Sequence, residues 1–318
     1  GKRAAVVEIS SHALDQQRVQ EIGLDSAVFT NITPEHLDYH KDMKTYLRDK
    51  SGIFRNLKPG GTAVLNLDDP MVIGLTETVD FSGLVTFGMS PAADVKAENV
   101  RLSSGGTEFD LTLAKLGCRH IKTAFIGEHN VYNMLAAAAA LLNSGLSPDQ
   151  IKEGLEKSSP VPGRLDAVRA NAPFGVFVDY AHTPNALENV LRCLRSLAEK
   201  KLICVFGCGG DRDRTKRPVM GRIAAEICDH VILTSDNPRT EDPGEILRQI
   251  EKGMPGKNNY SIIKERRDAI WSSLKTAGTG DVVVIAGKGH EDKQIIGGRA
   301  LPFNDKEIAG KMLEKLGY

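Results

Sequence analysis

The sequence runs to 318 residues, 41% hydrophobic and 26% charged, which is room for two ordinary domains and far from the composition of disordered or fibrous chains. Lys plus Arg and Asp plus Glu each number 41, so no global field recruits nucleic acid or an anionic membrane, and any anion must be held by a local cluster. The longest strongly apolar stretch, residues 135–142, is far too short for a bilayer, and five cysteines without a C-x-x-C pair argue against a disulfide framework and for a reducing cytoplasm.

In chain order, residues 4–10 (AAVVEIS) read as a buried strand. A core strand needs a neighbour for its backbone groups, so one this close to Gly1 suggests that something upstream has been removed. SAVFTNIT reads as the next strand, MKTYLRDKSGIFRNL (43–57) as an amphipathic helix, and TAVLNLDD as a further strand. Residues 94–126 alternate at period two around Ser103-Ser104-Gly105-Gly106, which predicts a hairpin or small antiparallel patch. A helix over 129–143 and another over 147–158, with Ser147 as N-cap and a proline in its first turn, close this half. The prolines of SSPVPG (158–163) exclude helix and mark the boundary between two domains, 1–159 and 160–318.

Beyond it, GVFVDYA, KLICVFGCGG, HVILTSDNP and DVVVIAGKG are near-continuous β-branched runs, each followed by a helix-like segment. That is the pattern of a parallel sheet covered on both faces, an α/β fold in which ligands sit beyond the carboxyl ends of the strands. Those ends carry Asp179-Tyr180-Ala181-His182, GCGGDRDRTKR (207–217), Asp236-Asn237-Pro238-Arg239 and GKGHED (287–292). Each loop alone reads equally well as a polar turn, but four converging ones point to a binding site. Arg212 and Arg239 offer planar forks for carboxylates, and Glu291 a counter-charge for an ammonium, so a zwitterion with more than one carboxylate fits. In the first half, Glu8, Ser10, Ser11 and His12 follow one strand, and Asn31, His36, Asp38 and His40 another. This set suits a hard or borderline cation, although His36 and His40 read as readily as satisfied turn histidines. No H-E-x-x-H, G-x-S-x-G or G-x-G-x-x-G motif is present, nor a G-x-x-x-x-G-K-[ST] phosphate loop. The five cysteines read as small buried apolar residues.

ISSHALDQQRV, FTNITPEHLDYH, GEHNVYN, PGRLD, VDYAHTPNAL, FGCGGDRDRTKRPVMG, TSDNPRTEDP and AGKGHED occur in the order in which they stand in the Mur ligases of peptidoglycan synthesis, and the chain resembles that family from its first strand nearly to its end. The resemblance is strongest to the branch that joins meso-diaminopimelate to UDP-N-acetylmuramoyl-L-alanyl-D-glutamate. It implies a truncated central ATPase domain (1–159), mostly parallel sheet with a small antiparallel patch, followed by a Rossmann-like domain (160–318) that binds the incoming amino acid. The family's N-terminal uridine-nucleotide domain and its phosphate loop are not in this sequence, so the chain by itself is expected to turn over negligibly. The implied chemistry is ATP-dependent amide formation: ATP phosphorylates the D-glutamyl γ-carboxylate, and the amine of the amino acid attacks the acyl phosphate.

By the same resemblance Glu8 and His36 correspond to magnesium ligands and Lys50 to a carbamylated lysine that joins them. Ser10, Gln16 and Arg18 correspond to contacts with the muramoyl peptide. Asn130, Asn133, Arg164, Asp179 and His182 correspond to the ATP side, with Asp179 accepting from ribose. Arg212, Asp236, Asn237, Pro238, Arg239, Gly287 and Glu291 correspond to the amino-acid pocket. Tyr39, His40 and Asp38 are loop supports. The implied enzyme works as a monomer in the cytoplasm. Two other readings stand beside it: a folylpolyglutamate-synthetase-like ligase, disfavoured by DNPRTEDP and GCGGDRDRTKRP, and a non-catalytic amino-acid-binding module.

Overall fold

Among the described residues the apolar runs build two six-stranded sheets and one two-stranded hairpin. The computed structural model describes residues 4–32, 40, 42–77, 83–103, 105–114, 116–142, 144–168 and 170–318. These divide into two compact units, one made of 1–101, 106–123 and 128–158, the other of 102–105, 124–127 and 159–318.

In the first unit the sheet runs in chain order: β1 (Leu24–Phe29), β2 (Leu57–Asn66), β3 (Leu84–Gly88), β4 (Val95–Ser103), β5 (Gly106–Leu113) and β6 (Gly117–Thr123). β1 to β4 pair in parallel and β5 with β6 antiparallel, so the expected antiparallel patch continues the parallel sheet instead of standing apart. From Gly61 onward β2 is buried at every position, as a strand covered on both faces must be, whereas β5 buries alternate residues. The helix expected over 43–57 is split: α2 (Met43–Ser51), capped by Asp42, gives way at Gly52 to a tighter turn over Gly52–Asn56 that seats Phe54 in the core. The short α1 (Ser11–Asp15) and α3 (Pro70–Ile73) flank it. α4 (Glu128–Leu141) packs on β2 and β3 with Val131, Leu135, Ala138 and Ala139 buried, and the alanines let the helix lie close to the sheet. α5 (Pro148–Lys157) begins at Ser147 with a full capping box to Gln150 and packs on β6.

Two expectations fail here. Residues 4–10 form no strand; Val6 is fully exposed and Val7 more than half so. An apolar run becomes a strand only where a neighbour takes its N–H and C=O groups, and β1 pairs on one side with β2 without pairing with this segment. Nor are all five cysteines buried: Cys118 is exposed at the start of β6, on the face turned outward, and Cys193 is half-buried.

In the second unit the order is β11-β10-β9-β12-β8-β7, with β8 (Gly175–Asp179), β9 (Leu202–Phe206), β10 (His230–Leu233), β11 (Tyr260–Ile262) and β12 (Val282–Ala286) parallel, and β7 (Asp166–Ala167) antiparallel at the edge. Successive residues of β9 and β12 serve different cores. Leu202, Cys204, Phe206, Val282 and Val284 meet α6 (Pro184–Leu197), α7 (Lys216–Ile227) and α8 (Pro243–Glu251). Ile203, Val205, Val283 and Ile285 meet α9 (Arg266–Thr276) and α10 (Asp305–Lys315) on the other face. Each fully buried Leu or Val contributes about 1.5–3 kcal/mol. Connections from β8 through β11 therefore cover one face and those after β11 the other, a reversal that leaves a crevice at the strands' carboxyl ends. At the carboxyl end of β12, where Arg266 donates to the Ala286 carbonyl at 3.0 Å, Arg266 and Asp305 form a fully buried bidentate pair that locks α9 to α10 at 2.7 and 2.8 Å. After β12 the hairpin β13 (Lys293–Ile296) and β14 (Arg299–Pro302) turns at Gly297 and Gly298, both with positive φ as such a turn demands.

Candidate functional site

Four loops follow the carboxyl ends of β8, β9, β10 and β12 in the second unit, and two of them are tied into one platform. Arg217, fully buried at the first turn of α7, grips Glu241 with both terminal nitrogens at 2.9 and 3.0 Å, Gln249 at 2.7 Å and the Gly209 carbonyl at 3.1 Å. Glu241 in turn accepts from the Asp211 N–H, and Asp211 from the Thr240 hydroxyl. The Arg217 hydrogen bonds, against a smaller opposing effect of burial, hold the Glu241 carboxyl down at about 2. Glycine is obligatory at this seam: a Cβ on Gly210 would meet the Pro238 carbonyl at 1.9 Å.

On this platform Arg212 and Arg239 approach each other. A Cβ on Gly209 would lie 2.9 Å from Arg239 Nη1 and 3.9 Å from Arg212 Cγ. Arg239 Nη1 donates to the Gly210 carbonyl at 2.8 Å, and its Nη2 and Nε make no hydrogen bond among the described residues. Arg212 is exposed and donates to the Asp211 carbonyl at 2.9 Å. Asn237 is buried and donates from Nδ2 to Glu291 Oε2 at 2.8 Å. Burial raises the Glu291 carboxyl, but hydrogen bonds from Lys288 and Asn237 outweigh this and hold it below the usual range. Asp236 is buried with one oxygen on the Asn237 N–H at 2.6 Å and the other without a partner, and its acid is raised by burial. The unpartnered oxygen lies against Gly287, where a Cβ would come within 2.5 Å of it and where φ is +116°, so only glycine fits. Pro238 is buried between Asn237 and Arg239. The amino-acid set named from sequence is thus brought together: two guanidinium groups and an amide N–H beside one ionised carboxylate, an arrangement suited to a zwitterion carrying an additional carboxylate.

The remaining second-unit residues cluster after β8. Asp179 is buried and accepts at both oxygens, from Leu165 N and Ala181 N at 2.7 Å each; its acid is raised, burial outweighing these bonds. The Arg164 guanidinium lies 5.2 Å from the centre of the Tyr180 ring. His182 is exposed, its ring against Tyr180, and its Nδ1 must carry a proton because the Tyr180 carbonyl 2.9 Å away can only accept. In the first unit Asn133 donates to Asn130 on α4 at 3.2 Å.

Glu8 and Arg18 are exposed, Ser10 caps α1 by accepting from Ala13 N at 3.2 Å, and Gln16 closes the same helix. Lys50 is half-buried, its Nζ 5.1 Å from the Tyr46 ring centre and 5.6 Å from that of Phe29. His36, with Asp38 and Tyr39, lies outside the described residues. Among the described residues no three His, Cys, Asp or Glu side chains gather as a metal would require. His40 is buried between Ser11 Oγ at 2.9 Å and Asp49 Oδ2 at 3.0 Å, a brace joining α1 to α2.

Sequence reasoning missed Lys288, Gln294 and Arg217. Lys288 and Arg217 stood inside quoted motifs, and the signal available was a cation beside glycines or a buried strand; Gln294 had none.

This fold and these loops define a class. Residues 1–141 match the Mur ligase middle domain and residues 163–289 the Mur ligase, glutamate ligase domain. The chain belongs to the Mur ligase family. Within the family it is 47% identical to a UDP-N-acetylmuramoyl-L-alanyl-D-glutamate–2,6-diaminopimelate ligase of Bacillus velezensis over 320 residues, and 43% identical to diaminopimelate ligase 1 of Clostridium acetobutylicum over 313. Both alignments cover 98% of the chain. A solved structure of a ligase of that name is 35% identical with a TM-score of 0.69, over 98% of the chain and 64% of that structure. The chain spans 64% of the length of these two curated relatives.

Proposed function

We propose that the chain serves an ATP-dependent ligase that joins meso-diaminopimelate to the D-glutamyl γ-carboxylate of UDP-N-acetylmuramoyl-L-alanyl-D-glutamate. ATP transfers its γ-phosphoryl group to that carboxylate, ADP leaves, and the amine of diaminopimelate attacks the acyl carbon. Phosphate departs with the C–O bond, and the amine loses a proton to give the amide. The observation that carries the reading is the strand-end cluster of the second unit. Arg239 and Asn237 offer N–H groups for the distal carboxylate of diaminopimelate, Arg212 adds charge, and the open Oε1 of Glu291 takes its ammonium. Asp236 and Gly287 form the floor, and Pro238 fixes the loop. Lysine lacks the distal carboxylate and leaves the guanidinium unpaired, which is the strongest form of discrimination available to a binding site.

On the nucleotide side the same reading gives Arg164, Asp179 and His182 of the second unit to ATP. Arg164 supplies charge from a ring-supported position, and His182 presents Nε2. Asp179 holds Leu165 and Ala181 in place and keeps one lone pair on each oxygen for a ribose hydroxyl. Ser10, Gln16 and Arg18 go to the muramoyl peptide, and Lys50 to a carbamate beside Glu8 and His36. The test is phosphate release by the enzyme that contains this chain, with ATP, the muramoyl dipeptide and either amino acid. A preference of more than about tenfold in kcat/KM for diaminopimelate is expected from one charge-assisted pair of roughly 1.5–3 kcal/mol. Equal values for lysine and diaminopimelate would overturn the reading.

A further inference from the structure

An asparagine amide beside a ligand can offer either its oxygen or its N–H groups, and which one it offers decides whether the site reads a donor or a carboxylate. At Asn237 the choice is made by its neighbours. Oδ1 lies 3.1 Å from Lys288 Nζ and 2.9 Å from the backbone nitrogen of Ile295. Both of those groups only donate, so they fill the two lone pairs of the amide oxygen. Nδ2 is thereby turned to Glu291, where one N–H is used, and its second N–H remains for a ligand.

Lys288 is itself 0% exposed. Its three N–H bonds go to Asn237 Oδ1, to Glu291 Oε2 at 2.7 Å and to the Lys293 carbonyl at 2.5 Å. An ammonium so buried persists only when fully bonded, and one so bonded has no proton left for a ligand. Lys288 must act through its partners. It occupies one oxygen of Glu291 and leaves Oε1 open. The segment that carries Ile295 is in turn pinned to the loop it orients: Gln294 Nε2 donates to the Asp236 carbonyl at 2.8 Å, Arg239 N to the Ile295 carbonyl at 3.0 Å, and Gly297 N to the Arg239 carbonyl at 2.7 Å.

We propose that Lys288 is a positioning residue that polarises the amino-acid pocket, fixing Asn237 with its remaining N–H toward a ligand carboxylate and Glu291 with one free oxygen toward a ligand ammonium. The proposal rests on the amino-acid reading given above. Without Lys288 the amide oxygen keeps the Ile295 N–H but loses its charged donor, and Glu291 Oε2 keeps only the Asn237 N–H, so the amide that faces the carboxylate is held less firmly. Affinity for diaminopimelate should then fall and affinity for lysine should not.

The test is calorimetric titration of meso-diaminopimelate and of lysine into the 318-residue chain, unmutated and as Lys288→Met and Lys288→Gln. The unmutated chain is expected to prefer diaminopimelate, and both variants to lose about tenfold or more of its affinity while binding lysine within about threefold of the unmutated value. A loss of structure would weaken both ligands together, and that outcome, in variants that melt like the parent, overturns the proposal. An unmutated chain that binds neither amino acid overturns the amino-acid reading and the proposal with it. A normal parent whose variants keep the full preference overturns the proposal alone. Should both variants fail to fold, the Asn237 side-chain amide of the unmutated chain is followed by nitrogen-15 NMR. Its Nδ2 resonance must move further on adding diaminopimelate than on adding lysine; equal movement, or none, overturns the proposal.

Discussion

Arg217→Met tests whether the two loops that carry Arg212 and Arg239 are held as one body. The guanidinium is wholly buried and makes four hydrogen bonds, two of them to Glu241, whose side chain is 9% exposed. Removing it leaves the Gly209 carbonyl and the Gln249 oxygen without this donor and Glu241 with only the Asp211 N–H and Arg214 at 3.2 Å, and breaking a buried pair from one side costs up to about 3–5 kcal/mol. For a domain of this size each kcal/mol lowers Tm by roughly 2–4 °C, so a fall of about 6–20 °C is expected in a thermal melt. The double variant Arg217→Met/Glu241→Leu removes both charges and should recover at least about 1 kcal/mol of that loss. Acid adds a second readout. The Glu241 carboxyl is held near 2, against an ordinary value of 4.5, chiefly by its bonds to Arg217. The unfolded chain therefore binds the extra proton between those values, and the stabilisation is complete above about pH 5 and lost as pH falls toward 2. The gap between parent and Arg217→Met should narrow over that window. A single-variant loss below about 1 kcal/mol, or a gap that stays constant from pH 6 to pH 3, would refute the reasoning.

Gly210→Ala drives a methyl into the Pro238 carbonyl; it should weaken diaminopimelate binding at least about tenfold, and unchanged calorimetry would show that the loops separate freely. Lys50→Ala removes only two ring contacts worth about 0.5–1 kcal/mol each, so a melt should shift little while turnover of the enzyme that contains this chain collapses, with partial recovery on adding a small carboxylic acid. Full turnover would return Lys50 to an ordinary helix lysine. Arg239→Ala should erode the preference for diaminopimelate over lysine by about tenfold while nucleotide affinity, followed by fluorescent-nucleotide displacement, stays level; a joint loss of both would point to a folding defect. A thiol reagent should label Cys118 first and the buried Cys204, Cys208 and Cys228 slowly, the Cys208 thiol being pushed up to about 12 by burial; rapid labelling of Cys208 in the native chain would contradict its placement.

How much of this was legible in the sequence depends on which interactions are local. β8, β9, β10 and β12 could be read directly, because a strand buried on both faces must be apolar at every position, and Val282–Ala286 meets that demand within five residues. Residues 4–10 carry the same signal and form no strand, since composition reports the capacity for burial and says nothing about which neighbour is present. The break of 43–57 at Gly52 was hidden for a related reason: the apolar spacing runs on through Phe54 although the backbone tightens.

The site divides along the same line. Sequence can nominate charged residues at strand ends, but whether a charge is available to a ligand or consumed inside the protein is a property of the folded surroundings. Arg217 and Arg212 stand five positions apart in one motif, yet the first makes four internal hydrogen bonds and the second is exposed. Lys288 and Glu291 are three apart; the lysine is saturated, while the carboxylate keeps an oxygen with no hydrogen bond among the described residues. Once the internally satisfied groups are set aside, what remains is Arg212, part of Arg239, one N–H of Asn237, one oxygen of Glu291 and one buried oxygen of Asp236. A simple amine would leave the two guanidinium groups without a counter-charge, and a dicarboxylate would be repelled by Glu291. Two guanidinium groups beside the Glu291 carboxylate are matched by a zwitterion with an extra carboxylate, so the discrimination is set by what the internal network leaves unpaired.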